Sequence, residues 1–366
     1  MMSEGKILVL TADRRLHQYN RFFGPYCVPK ILEHWRMKEP DYVAQVRDEI
    51  MREYREGRIS YVGVEDKRLF HSLGLASDMG YWIDAGEFWS NFMDWSEDGL
   101  PFVCVDMNDQ CDPMFRPTTL RERDVILKGQ VSREGTKDGL LFDDKVVWAP
   151  YWTGYTTFTV VVNREWGSVK PIFERRYDTG FVGTISTYRW RHTAVHDVFG
   201  GETWQNADSP HYVRFSSSRS RLSPGHFANM VRDSKVAINI RGSGVLAQRF
   251  FEILHLQTCC LTDDYTVRAY WLIPPVGGEA GECCEVFEGD NSDSLRAKME
   301  GLLDNPGYME CLATNGKRFW ECCCKQSRIR EYGGFVLEAM ESGLPWSEVL
   351  GRFRNSCLEA LRSYGR

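Results

Sequence analysis

Residues 233–264 constrain the fold of this chain more than any other stretch; they read DSKVAINIRGSGVLAQRFFEILHLQTCCLTDD. Val236 to Ile240 is a buried-strand signal, and Arg241-Gly242-Ser243-Gly244 ends it with residues that let backbone N–H groups approach an anion. A helix follows, in which Leu246, Phe250, Ile253 and Leu254 form the apolar stripe while Arg249 and Glu252 fall at i, i+3. Thr258 to Thr262 is a second buried strand, ending at Asp263-Asp264. Strand, glycine-bearing turn, helix and strand in so short a unit are the layout of a nucleotide site. The helix N-terminus and nearby arginines favour a diphosphate, and a carboxylate one turn further on can hold a ribose hydroxyl.

The order Ser234-Lys235, Gly242 to Gly244, Arg249, Glu252 and Asp263 resembles the donor site of GT-B glycosyltransferases. The resemblance is to the group-1 and CgeB-like members in particular, with the exostosin-like donor motif as a more distant relative. Downstream, Val286-Phe287, Asp293-Ser294-Leu295, MEGLLDNP from Met299 to Pro306 and ATNGKR from Ala313 to Arg318 resemble the tail of the same families. Upstream, Phe181-Val182-Gly183-Thr184 resembles the strand and turn that open their second half. The likeness spans about residues 180–330 and is diffuse before that.

This resemblance implies an α/β fold of two Rossmann-like domains facing across a cleft. It implies transfer of a sugar from a nucleotide-activated donor, a UDP-sugar, to an acceptor hydroxyl, in the manner of a hexosyltransferase. The donor-binding residues it implies are Gly183, Arg189, Arg241, Gly242, Ser243, Gly244, Arg249, Glu252 and Asp263, with Arg191 as the alternative to Arg189. Many retaining members carry an earlier glutamate where this chain has Gly244, which leaves sugar identity and stereochemical outcome open. Two further readings stay open beside it: transfer to hydroxymethylated DNA bases, and a non-catalytic GT-B-like protein that binds nucleotide-sugars.

The length of 366 residues allows about two domains, each able to bury a core. Strands are expected at Lys6 to Thr11, Ile59 to Val64, Pro101 to Asp106, Asp124 to Lys128 and Lys145 to Ala149, and helices around Val43 to Tyr54 and Lys67 to Gly74. This alternation fits a parallel sheet in an acceptor-side domain at 1–165, followed by a nucleotide-sugar domain at 166–345 and a helix at 346–366 that packs back on the first domain. Ligands of such sheets bind beyond the carboxyl ends of the strands. Asp106, followed by Asn108, Asp109 and Asp112, is therefore a candidate catalytic base, as is His17 in the loop after the first strand. An Asp/Asn-rich loop is equally a turn, and a lone loop histidine is commonly structural.

Hydrophobic residues at 43% exclude a disordered chain, and a formal charge of −6 gives no global basic footprint for nucleic acid or anionic membrane. No apolar run reaches spanning length and no secretory signal is read at the N-terminus, so a cytoplasmic protein is expected. Many of the 12 cysteines stand in adjacent groups, as in Cys259-Cys260, Cys283-Cys284 and Cys322-Cys323-Cys324, rather than at the spacing of zinc ligands. They read as reduced thiols. His192 and His196 have a metal-compatible i, i+4 spacing, but Thr193 stands where a zinc hydrolase carries glutamate. No metal and no cofactor other than the nucleotide-sugar co-substrate is expected. Arg214 and the run SSSRSR from Ser216 to Arg221 form a polar basic loop suited to phosphate or to an acidic acceptor, or simply to water.

Overall fold

The computed structural model describes residues 6–11, 19–64, 99–106, 117–129, 145–150, 170–184, 189–199, 209–216, 222–242, 246–269 and 271–365. The chain divides into two compact units, one of residues 1–150 and 329–353, the other of residues 151–328 and 354–366. The sequence reading divides it instead at 165 and 345. The last two helices are each split between the units, an arrangement that hydrophobic periodicity along one helix does not reveal.

The first unit contains β1 (Ile7–Thr11), α1 (Tyr19–Phe23), β2 (Cys27–Ile31), α2 (Pro40–Arg55), β3 (Tyr61–Val64), β4 (Val103–Asp106), β5 (Val125–Lys128) and β6 (Val146–Trp148). The strands are parallel, in the orders β2-β1-β3 and β4-β5-β6, and a bridge between Val62 and Phe102 joins the two sets. β1, β3, β4 and β5 are buried along their whole length, as strands covered on both faces must be. β2 is different. It carries Pro29 and is largely exposed, in keeping with its place at the edge of the described strands. α2 starts on Pro40, ends with Arg52 and Arg55 in its last turn, and turns Tyr42, Val46 and Ile50 to the core around Leu8, Leu10 and Val62. The helix expected at Lys67 to Gly74 lies outside the described residues.

One tyrosine fastens β3 to β4. The Tyr19 hydroxyl donates to the Val103 carbonyl at 2.7 Å and accepts from the Val64 N–H at 3.1 Å. A Cβ at Gly63 would run into the Tyr19 ring, so the strand has to be bare at that point. In the same unit the Tyr332 hydroxyl donates to the Trp148 carbonyl, and its ring packs edge-on against Trp148 and Phe353.

The second unit contains β7 (Tyr177–Thr184), α3 (Arg189–Phe199), β8 (His211–Ser216), α4 (Pro224–Arg232), β9 (Ser234–Asn239), α5 (Gln248–His255), β10 (Cys259–Asp263), α6 (Asp264–Arg268), β11 (Glu285–Phe287), α7 (Ser292–Leu303) and α8 (Pro306–Phe319). A single π-helical turn, Trp320–Cys324, leads to α9 (Gln326–Ser342), and α10 (Trp346–Ser363) closes the chain. The sheet is parallel throughout, in the order β11-β10-β9-β7-β8. Phe181, Ile238, Leu261 and Phe287 pack against Leu295, Met299, Met309 and Leu312 of α7 and α8.

Several residues of the sequence motifs prove to serve this framework. Asn305 caps α8 by accepting from the Tyr308 N–H at 3.1 Å, with Pro306 at the first helical position, which accounts for the Asn-Pro pair. Ser234 donates to the Met230 carbonyl at 2.7 Å and stands where a Cβ at Gly180 would have to go. Arg175 binds the strand starts together, donating to Ser234 O at 3.0 Å, Thr258 Oγ1 at 2.9 Å and Gln257 O at 2.8 Å. Its burial draws the guanidinium pKa down to about 10.

All 11 described cysteines are free thiols, and Cys311 alone among them is exposed. Burial pushes those of Cys260, Cys284 and Cys324 well up, so they stay protonated and packed. Among the described residues no helix is long and apolar enough to cross a membrane, and no group of three His, Cys, Asp or Glu side chains could hold a metal ion.

Candidate active site

The second sheet reverses its strand order at β7. The chain leaves β7 for β8 on one side, then passes to β9 on the other, so β7 and β9 are neighbours whose following segments diverge. Such a switch point is where parallel α/β sheets open a crevice for ligands. Gly183 lies near the end of β7, and Gly242 lies just beyond β9.

Arg191, on α3, serves both glycines. A Cβ on Gly242 would stand 3.2 Å from its Nη2, and one on Gly183 would stand 3.6 Å from its Cδ and 2.6 Å from the Phe181 ring. Bare backbone at both positions keeps room around the guanidinium. Arg191 itself is 5% exposed and donates from Nη2 to the Ile240 carbonyl at 2.8 Å, which fixes it at the end of β9.

Arg249 and Glu252 come from α5, whose N-cap, Ala247, offers no side chain to the first N–H groups. The Arg249 guanidinium lies 5.1 Å from the centre of the Phe181 ring. Its Nε and Nη1 are buried and have no hydrogen-bond partner among the described residues, although the side chain as a whole keeps partial exposure. Burial first, then the positive charge of Arg191, draws its pKa down to about 9. One turn on, burial pushes the Glu252 carboxyl up to about 7 against the pull of Arg249. Two cations and one carboxyl whose pKa lies near neutrality leave net positive charge here.

The structure groups the other candidates differently. Arg241 directs its guanidinium over the Tyr265 ring, 3.3 Å from the centroid, and towards Asp290 at 3.6 Å, an ion pair at the rim. Asp263 is fully buried and caps α6, and it accepts the Arg241 N–H at 2.5 Å. Arg189 opens α3, but its side chain lies outside the described residues. Ser243, Gly244, His17, Asn108, Asp109 and Asp112 also lie outside them. In the first unit Asp106 is fully buried and pairs at 3.3 Å with Lys128, its register partner on β5. Lys128 and Tyr19 escaped the sequence reading. Lys128 had a readable signal, since the neighbouring strands VCVD and VILK end in opposite charges.

No family model and no curated protein matches the chain in sequence. Solved structures resemble it. An alpha-glucosyltransferase in complex with UDP and a 13-mer DNA containing a HMU base is similar over 93% of this chain and 100% of that one, at 10% identity and a TM-score of 0.54. HepE of Anabaena, in complex with UDP and glucose, is similar over 92% and 99%, at 9% identity and a TM-score of 0.49. Sucrose-phosphate synthase from Thermosynechococcus elongatus is similar over 87% and 85%, at 9% identity and a TM-score of 0.48. The first of these likenesses shows the fold: the chain has the two Rossmann-like α/β units of the GT-B glycosyltransferases.

Proposed function

We propose that this protein is a metal-independent glycosyltransferase that moves a sugar from a UDP-sugar to an acceptor hydroxyl. The observation that carries the reading is Arg249. Two of its nitrogens are buried without an acceptor among the described residues, beside a second buried arginine and at the switch point of the sheet. A buried donor without an acceptor is costly, on the order of 1 to 3 kcal/mol, and a diphosphate accepting from Nε and Nη1 removes that cost.

The chemistry follows from the charges. When the bond from sugar to diphosphate breaks, negative charge grows on the leaving phosphate. Arg191 and Arg249 then stabilise the transition state more than the ground state. Glu252 is the acceptor for the ribose hydroxyls, whose O–H groups favour its charged form, so binding draws its pKa back down. Gly183 and Gly242 keep the approach clear of side chains. The motif order from Ser234 to Asp263 supports a CgeB-like subtype, and the free thiols of the described cysteines support a cytoplasmic setting.

Transfer to a hydroxymethylated DNA base is the second reading of the acceptor. It is supported by the modified DNA bound in the similar alpha-glucosyltransferase and by Arg214 on β8, which leads into the basic run ending at Arg221. A thermal-shift panel of nucleoside diphosphate sugars tests the donor, and transfer assays on hydroxymethylated DNA, glycan and protein test the acceptor. Stabilisation by a UDP-sugar is expected. A panel in which no nucleoside diphosphate sugar raises the melting temperature overturns the reading.

A further inference from the structure

We infer that Asp263 is a positioning residue that holds the diphosphate-facing segment after β9 in place without itself touching the donor, an inference that rests on the donor site proposed above. The Asp263 side chain is fully buried at the end of β10, and its two oxygens do separate jobs. Oδ1 accepts from the Thr266 N–H at 3.1 Å and the Thr266 hydroxyl at 3.2 Å, which caps α6. Oδ2 accepts from the Arg241 N–H at 2.5 Å, in the residue directly before Gly242. One carboxylate thus ties the segment leaving β9 to the start of the helix after β10.

The surroundings make this tie stiff. Asn239, at the end of β9, donates from Nδ2 to the Thr262 hydroxyl at 2.8 Å and to the Thr266 hydroxyl at 3.2 Å. Asn239, Thr262, Asp263 and Thr266 are all shut from solvent, where charge-assisted hydrogen bonds are strongest. Burial raises the Asp263 carboxyl to about 6, and the donations from Arg241 and Thr266 act against that rise. Because Gly242 is the next residue, the Oδ2 bond decides where its backbone stands relative to Arg191, whose Nη2 would be 3.2 Å from a Cβ there. Asp263 therefore acts on the phosphates through the backbone.

The two jobs can be separated by substitution. Asp263→Ser keeps a good N-cap oxygen for Thr266 but is one oxygen short for Arg241, whereas Asp263→Ala loses both. Melting temperature, UDP affinity and uridine affinity are measured on wild type and both variants. The serine variant is expected to melt close to wild type, to bind UDP about tenfold more weakly, and to bind uridine unchanged, because Glu252 is not on the tethered segment. The alanine variant should fall in melting temperature as well. Wild-type UDP affinity in Asp263→Ser overturns the inference, and so does a parallel loss of melting temperature, UDP and uridine binding, which would mark a purely structural cap. If wild type itself binds no UDP, the donor-site reading falls and takes this inference with it.

Discussion

Lys128 Nζ stands 3.3 Å from Asp106 Oδ1, and neither side chain reaches solvent. The two residues end adjacent parallel strands in register, so the pair joins β4 to β5 at their carboxyl ends. A carboxylate in that position is compensated and enclosed. Its geometry favours a strut over an exchangeable base.

Asp106→Asn is therefore expected to destabilise the protein by about 3 kcal/mol or more, because it breaks a buried ion pair. The double variant Asp106→Leu, Lys128→Met should recover most of the loss. Urea denaturation decides. An Asp106→Asn protein of unchanged stability whose turnover alone collapses would restore the base reading.

Arg249→Met removes a buried cation and keeps an apolar stem over Phe181. Stability should stay level or rise, while UDP affinity should be lost, the trade expected where a site carries a cost that its ligand relieves. Calorimetric titration alongside a thermal melt checks both halves. A variant that melts well below wild type would make Arg249 part of the framework.

For Glu252 the expected cost of truncation is specific. Glu252→Ala should weaken UDP binding by about 1.5 to 3 kcal/mol, the size of hydrogen bonds to a charged group, in a protein that still folds. Unchanged affinity would remove it from the ribose site.

The same carboxyl gives a pH signature. Its pKa is raised from 4.5 to about 7, so the folded protein holds this proton more tightly than the unfolded chain does. Burying Glu252 then costs nothing below about pH 4.5, costs more as pH rises through the interval, and costs its full amount above pH 7. Glu252→Gln should melt above wild type at pH 8, with the gap closing as pH falls through 7 towards 4.5. Thermal melts at pH 5 and pH 8 with the same gap would contradict the shift.

Transfer should survive EDTA, since Arg191 and Arg249 supply the positive charge that a divalent ion would otherwise bring. Activity abolished by the chelator and restored by Mn²⁺ or Mg²⁺ would overturn this and point to Asp263-Asp264 or Asp106 as metal ligands.

The parts of this molecule that follow from local chemistry were readable in the chain. Val236 to Ile240, Thr258 to Thr262 and the stripe of Phe250, Ile253 and Leu254 announced an α/β unit, and the GT-B fold was implied by the resemblance that Arg249, Glu252 and Asp263 carry. The placement of Arg191 beside Gly183 and Gly242 is a matter of which face of α3 meets the sheet, and residue order cannot separate it from Arg189. Arg241 and Arg249 look alike as residues flanking a glycine turn. Tyr265 and Asp290, distant in sequence from both, engage the first, while Phe181 and Arg191 surround the second. Tyr19 was hidden for a similar reason, because its partners Val64 and Val103 become neighbours only once β3 and β4 meet.

The division of α10 bears on how the protein can be handled. Its residues up to Phe353 count with the first unit, where that ring meets Trp148 and Tyr332, and those from Arg354 count with the second, where Leu361 O accepts from Arg318 and Ser356 binds Arg328. No single cut in the chain releases two whole folding units. A fragment expressed from 151 to 328 would carry the donor motif yet want for the helix segment that completes its own core, and the intact donor half has to be assembled from two pieces of polypeptide.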